Sequence, residues 1–228
     1  MTGNRLPETI PDLEPGVTLL ETPRRRSAAL QQLVVSHLVD GQTRQGWWVD
    51  SGNAFATQSL YELTPGDHVL EHLQVGRAFT AYQHGSLVRE TIRRTSQRTE
   101  LVVVSNAPYY YRDDEVQRTT AERLFASVME LLERLAEACS VPVLVTISEE
   151  DAFTDVVREH ADRELRSRET TEGIVYVGED FETEVFWREG YFQTTIPYWV
   201  RLLGVLGDGE DVYEAPGLYE EPGLGAWG

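Results

Sequence analysis

Residues 16–38, GVTLLETPRRRSAALQQLVVSHL, constrain the fold more than any other stretch of the chain. Residues 17–20 form an apolar run of strand length, and Leu30, Leu33, Val34, His37 and Leu38 then recur at helical spacing. Eight residues join the two: Glu21, Thr22, Pro23, Arg24, Arg25, Arg26, Ser27 and Ala28. A strand that turns into a helix over this length has the frame of a phosphate-cradling loop, G-x-x-x-x-G-K-[ST]. The defining residues are replaced. Glu21 and Arg26 stand at the glycine positions, Ser27 at the lysine and Ala28 at the magnesium-binding hydroxyl. Thr22 is expected to cap the helix, with Pro23 in its first turn.

The rest of the chain continues the alternation. Strands are expected at 45–50 (QGWWVD), 68–75, 101–104 and 141–147. Helices are expected near 55–63, at 82–98, at 115–139 with Leu124, Val128, Leu131, Leu132 and Leu135 on one face, and at 151–163. This order predicts an α/β fold with a mostly parallel twisted sheet and helices on both faces. Short strands with polar alternation at 173–178, 183–188 and 191–195 suit an antiparallel extension at the C-terminal edge, and 196–206 reads as a closing helix. Residues 1–15 read as an arm, 16–206 as the core and 207–228 as an acidic Gly/Pro-rich tail. The tail repeats Tyr-Glu-x-Pro-Gly-Leu, from Tyr213 to Leu218 and from Tyr219 to Leu224. Disordered segments with spaced aromatic and leucine anchors dock into grooves on other proteins.

Composition narrows the functional classes. The 228 residues carry a formal charge of -18, and all 20 basic residues are arginine. Such acidity disfavours general coating of DNA or membranes, and without lysine it suits a halophilic protein in concentrated salt. No phosphate-loop lysine is available anywhere in the chain. The single Cys139 excludes an internal disulfide and a cysteine metal cluster, and no apolar run reaches membrane-spanning length. A cytoplasmic location is expected.

Several segments resemble the RecA/RadA recombinase superfamily, most closely archaeal RadA and its paralogues. Residues 47–55, WWVDSGNAF, are similar to the family's second strand and following turn; residues 73–83, LQVGRAFTAYQ, to its V-x-R-A-x passage. Residues 101–106, LVVVSN, sit where the Walker B strand reads L-V-V-V-D-S, and residues 143–148, VLVTIS, where the family has V-V-V-T-N-Q. The resemblance, over residues 16–148, implies a RecA-like P-loop fold. It also implies that the chemistry is gone. The Walker B acid is replaced by Ser105, the catalytic glutamate by Gly52 and the sensor glutamine by Ser148, beside Ser27 and Ala28. Phosphoryl transfer depends on positioned cations, a metal and a water-orienting residue. Only residues 1–15 precede the core, so no helix-hairpin-helix domain is expected, nor is a Phe-x-x-Ala protomer-linking peptide found there.

Other candidates have competing structural readings. Arg24, Arg25 and Arg26 lie at a helix N-terminus, where the macrodipole opposes cations by about 0.3–1 kcal/mol each. They either grip an anion or are neutralised by Glu21 and neighbouring acids. Residues 68–72, HVLEH, match a zinc-binding H-x-x-E-H pattern, but their expected strand would splay the histidines. Asp50 is expected to cap the turn after its strand, and Trp47 and Trp48 to pack on opposite faces of the sheet. Tyr109, Tyr110, Tyr111 and Arg112 follow a strand at the ligand-binding edge of the sheet, as a partner-binding patch or as a packed loop. Residues 148–151, SEED, would repel a phosphate backbone.

These readings predict a non-catalytic RadA-like paralogue, with no catalytic residue, metal or cofactor. Its expected partner is another protein, a RadA-type recombinase or a replication or repair factor, with DNA contact weak or indirect and homo-oligomerisation open. The alternatives are a KaiC-like regulatory module, or a residual nucleotide or nucleic-acid binder using Arg24 to Arg26.

Overall fold

In the computed structural model the described residues are 10–41, 45–63, 70–114, 116–171, 173–179, 182–188 and 191–194. They fall within one compact unit, Met1–Pro197. The expected helix at 196–206 and the tail residues Tyr213, Leu218, Tyr219 and Leu224 lie outside the described residues.

Among the described residues nine strands form one sheet: β1 (Gly16–Glu21), β2 (Gln45–Asp50), β3 (Leu73–Arg77), β4 (Thr99–Ser105), β5 (Pro142–Ile147), β6 (Arg163–Glu169), β7 (Gly173–Val177), β8 (Glu182–Arg188) and β9 (Tyr191–Thr194). Their spatial order is β3-β2-β4-β5-β1-β6-β7-β8-β9. The first six pair in parallel and β7, β8 and β9 add antiparallel strands at one edge. The helices are α1 (Ala28–Asp40), α2 (Thr57–Leu63), α3 (Ala81–Arg94), α4 (Arg118–Cys139) and α5 (Ala152–Glu159). This is the expected α/β class, and it is compatible with a RecA-like fold.

Two cores arise because successive strand side chains point to opposite faces. On one face Val17, Leu19, Trp47, Val49, Val102 and Val104 pack with Phe125, Met129 and Leu132 of α4 and Phe153 of α5. On the other, Leu20, Trp48, Leu101 and Val103 pack with Leu30, Leu33 and Leu38 of α1 and Leu60 of α2. Trp47 and Trp48 thus serve separate cores, as their adjacency predicts. Among the described residues no helix is long and apolar enough to cross a membrane.

Several boundaries differ from expectation. The helix expected over 151–163 stops at Glu159, and Arg163–Glu169 is strand β6 instead. Five of its seven residues, RELRSRE, are charged, so no hydrophobic alternation marks it. It is a strand because β1 lies beside it: Leu165 pairs with Leu20 and is only 5% exposed, while Arg166 faces Glu21. Burying that one leucine contributes about 1.5–3 kcal/mol, and the arginines remain at the surface. The helix expected over 82–98 ends at Arg94, where the chain passes into a turn closed by Thr99 N–H on Ser96 O. The helix expected from 115 starts at Arg118, and the strand expected at 68–75 runs Leu73–Arg77. Of the H-x-x-E-H run, His68 lies outside the described residues, while Glu71 and His72 are exposed in a turn.

Candidate functional site: the C-terminal edge of the parallel sheet

The turn between β1 and α1 is the first component. Ser27, not Thr22, caps α1: its Oγ accepts the Ala29 N–H at 3.2 Å. Thr22 instead continues β1, its N–H donating to Ile147 O at 2.9 Å and its hydroxyl to the same carbonyl at 3.0 Å. The helix therefore starts later than the sequence suggests, and Pro23 stays outside it.

A carboxylate from far along the chain sits at this helix terminus. Oε1 of Glu169 accepts hydrogen bonds from Ser27 Oγ and Ala28 N, each at 2.9 Å, across sequence separations of 142 and 141 residues. Its other oxygen accepts from Arg24 Nη2. The first-turn amides of a helix and its positive dipole end favour an anion. Here that anion belongs to the protein itself. The cause is the β1–β6 register: Arg166 opposite Glu21 places Glu169 three residues further on, beside the start of α1.

Glu21 does not neutralise the arginine triplet. It accepts from Arg158 Nη2 at 2.5 Å and from Arg166 Nε at 2.8 Å. Partial burial opposes its charge, but these two guanidiniums hold its carboxyl below the ordinary range. Arg158 also pairs with Glu150, at 3.0 Å. Arg25 lies over the Tyr109 ring, 4.9 Å from its centroid, and Arg26 Nε donates to Asn53 O at 2.8 Å. Neither Arg25 nor Arg26 has a carboxylate partner among the described residues.

Strand β2 ends at Asp50, which is fully buried. Its Oδ1 accepts the N–H groups of Ala54 at 2.8 Å and Phe55 at 3.0 Å, and its Oδ2 accepts Arg77 Nε at 2.7 Å. It caps the following turn, as expected. Ser105, expected from the resemblance to stand at the Walker B acid position, ends β4; it accepts Trp48 Nε1 at 2.8 Å and donates to Asp50 Oδ1 at 3.2 Å. Gly52, expected from the resemblance to replace the catalytic glutamate, has φ of 65°. A Cβ there would meet Tyr109 Cγ at 3.1 Å, so any side chain would be strained and crowded. Ser148 lies half-buried beside Glu149 and Arg158 in a recess of about 120 Å³.

The run from Tyr109 to Arg112 divides between its two readings. Tyr111 is buried, its hydroxyl donating to Ala81 O at 3.3 Å and meeting His84 Nδ1 at 3.0 Å. Arg112 is committed to Asp151, with Nε to Oδ2 at 2.6 Å. Tyr109 and Tyr110 remain half-buried, edge to face with centroids 4.9 Å apart.

These parts border a cleft of about 790 Å³, with Arg25, Arg26, Arg77, Phe79, Tyr109 and Tyr110 among its walls. Arg24 also lines it, and among the described residues Asp113 is its one acid. The structure therefore brings the arginine triplet together with Tyr109 and Tyr110 of the Tyr109–Arg112 run and with Gly52. Arg77 and Phe79 are site residues that the sequence did not single out, although both lie in the V-x-R-A-x passage. Glu169 was also missed, and its local sequence carries no signal.

Fold and site together define an α/β protein with a cation-rich cleft at the C-terminal edge of its parallel strands. Compared with family models and with curated proteins, the chain matches none.

Proposed function

We propose that this chain is a non-catalytic RecA-like interaction module, a pseudo-ATPase that serves as an accessory to recombination, repair or replication proteins. The observation that carries the first half of this reading is the Glu169 carboxylate on Ser27, Ala28 and Arg24. A triphosphate placed on the same amides would meet that carboxylate, and like charges at contact cost several kcal/mol at the effective dielectric of a protein surface (about 4 kcal/mol at 4 Å). Two other altered positions support the reading because each has another job. Ser105 bridges Trp48 and Asp50, and Gly52 lies under Tyr109. The process, and a recombinase or replication factor as partner, rest on the family resemblance alone.

Calorimetric titration with ATP and magnesium in molar salt tests the non-catalytic reading. No saturable heat and no phosphate release are expected. Saturable ATP binding that Arg26→Ala abolishes would overturn it.

A further inference from the structure

We infer that the arginine–aromatic cleft is a docking site for an acidic peptide segment of a partner protein, one that carries an aromatic anchor. The inference rests on the interaction-module reading and names the surface such a module uses. Three of the guanidiniums are held in place by the protein itself. Arg26 spends Nε on Asn53 O and Arg77 spends Nε on Asp50, so both present their terminal amino groups; Arg25 is steadied over Tyr109. A guanidinium fixed in advance loses less entropy on meeting a carboxylate, and its planar fork matches that group.

The apolar half of the site is equally explicit. Phe79 is 65% exposed, an unusual position for a phenylalanine, and it stands on the same cleft as Tyr109 and Tyr110. Its backbone is not loose: the Phe79 N–H donates to Gln83 Oε1 at 2.9 Å, one turn into α3. At about 790 Å³ the cleft is within the size range of ligand pockets, about 300–1,000 Å³. It therefore offers fixed cations and an exposed aromatic wall side by side.

The surroundings favour a peptide over a polynucleotide. Asp113 stands on the cleft, Asp114 follows it at the surface, and the whole chain carries -18. A nucleic-acid strand leaving the cleft would carry further phosphates past these acids, whereas one or two glutamates can enter without a charged backbone behind them. The strongest anion position nearby, the start of α1, is already taken by Glu169.

The test uses the full chain and two fluorescein-labelled probes in moderate salt: the hexapeptide Gly-Tyr-Glu-Glu-Phe-Gly and an eight-nucleotide oligothymidine. A peptide with glutamine at each glutamate serves as control. Saturable binding of the acidic peptide is expected, weakened about tenfold or more by the double variant Arg25→Ala/Arg26→Ala and by the glutamine control, since one charged hydrogen bond is worth about that factor. Phe79→Ala should weaken it severalfold. All three side chains are exposed, so circular dichroism should show unchanged folding. Tighter binding of the oligonucleotide, affinity indifferent to all these substitutions, or no peptide binding would each overturn the inference. The ATP titration reads separately: silence there with no peptide binding sinks the docking site alone.

Discussion

Two helices of this protein start on a carboxylate, and they acquire it by opposite routes. Helix α5 is capped by its own neighbour: Asp151 Oδ1 accepts the N–H groups of Phe153 and Thr154, and Thr154 Oγ1 accepts the Asp151 N–H at 3.2 Å. Helix α1 has the serine cap Ser27, and its anion, Glu169, comes from the far end of β6. The first arrangement needs four consecutive residues. The second needs the sheet to be assembled in register. An electrostatic requirement common to helix termini is thus met locally at α5 and by tertiary structure at α1.

The comparison can be pushed hardest at Asp50, a buried carboxylate with both kinds of partner. Replacing it by alanine strands the Ala54 and Phe55 amides, which are local, and Arg77, which is distant. Losing the charged hydrogen bonds that a buried carboxylate accepts from two amides and a half-exposed guanidinium costs about 3–5 kcal/mol in all. Urea unfolding of Asp50→Ala should show a loss of that size; a change within about 0.5 kcal/mol would mean that this network does not hold the edge together.

Acid should act next, through the buried pair His84 and Tyr111. Burial lowers the His84 pKa from 6.5 to about 4. The unfolded chain therefore binds a proton before the folded one, and stability falls as pH drops from about 6.5 to about 4, then levels off for this group. The shift corresponds to about 3 kcal/mol. In His84→Gln that decline should shrink, with little change in slope above pH 7. Because His84 loses its contribution first, helix caps are best compared near neutral pH.

The smallest effects separate the two caps directly. Glu169→Ala removes charged hydrogen bonds from Ser27 and Ala28 and should cost about 2 kcal/mol. Asp151→Ala removes a local cap together with the partner of Arg112 and should cost about 1–2 kcal/mol. Hydrogen exchange distinguishes them further: amides of the first turn of α1 should lose protection in Glu169→Ala but keep it in Asp151→Ala. Asp151 is also held below the ordinary carboxylate range, because the Arg112 guanidinium and the α5 amides outweigh its partial burial. Its contribution is present above its ordinary pKa near 4 and is lost as pH falls further, below the window in which His84 acts.

Much of the fold was legible because apolar spacing reports burial. The apolar run 101–104 reads as a buried strand, which extends to Thr99–Ser105, and of the α4 face read from the sequence Val128, Leu132 and Leu135 are buried, while Phe125 and Met129 join them. Strand β6 escaped because its periodicity rests on Leu165 and Ser167 alone, between charged neighbours. The site divided in the same way. The arginine triplet, Gly52, Ser105 and the tyrosine run were recognisable as positions along a strand–turn–helix frame. Their companions Arg77 and Phe79 were not, since only the parallel pairing of β2 with β3 carries the end of β3 alongside the end of β2.

The sequence by itself determined the alternation of strands and helices and the two-sided core. Those features follow from residues within a few positions of one another, where spacing alone fixes the geometry. Tertiary structure alone decided that Glu169 meets the start of α1, that Glu21 pairs with Arg158 and Arg166, and that His84 is sealed from water. Each of these depends on segments far apart in the chain, joined only when hydrophobic burial and sheet register bring them into contact.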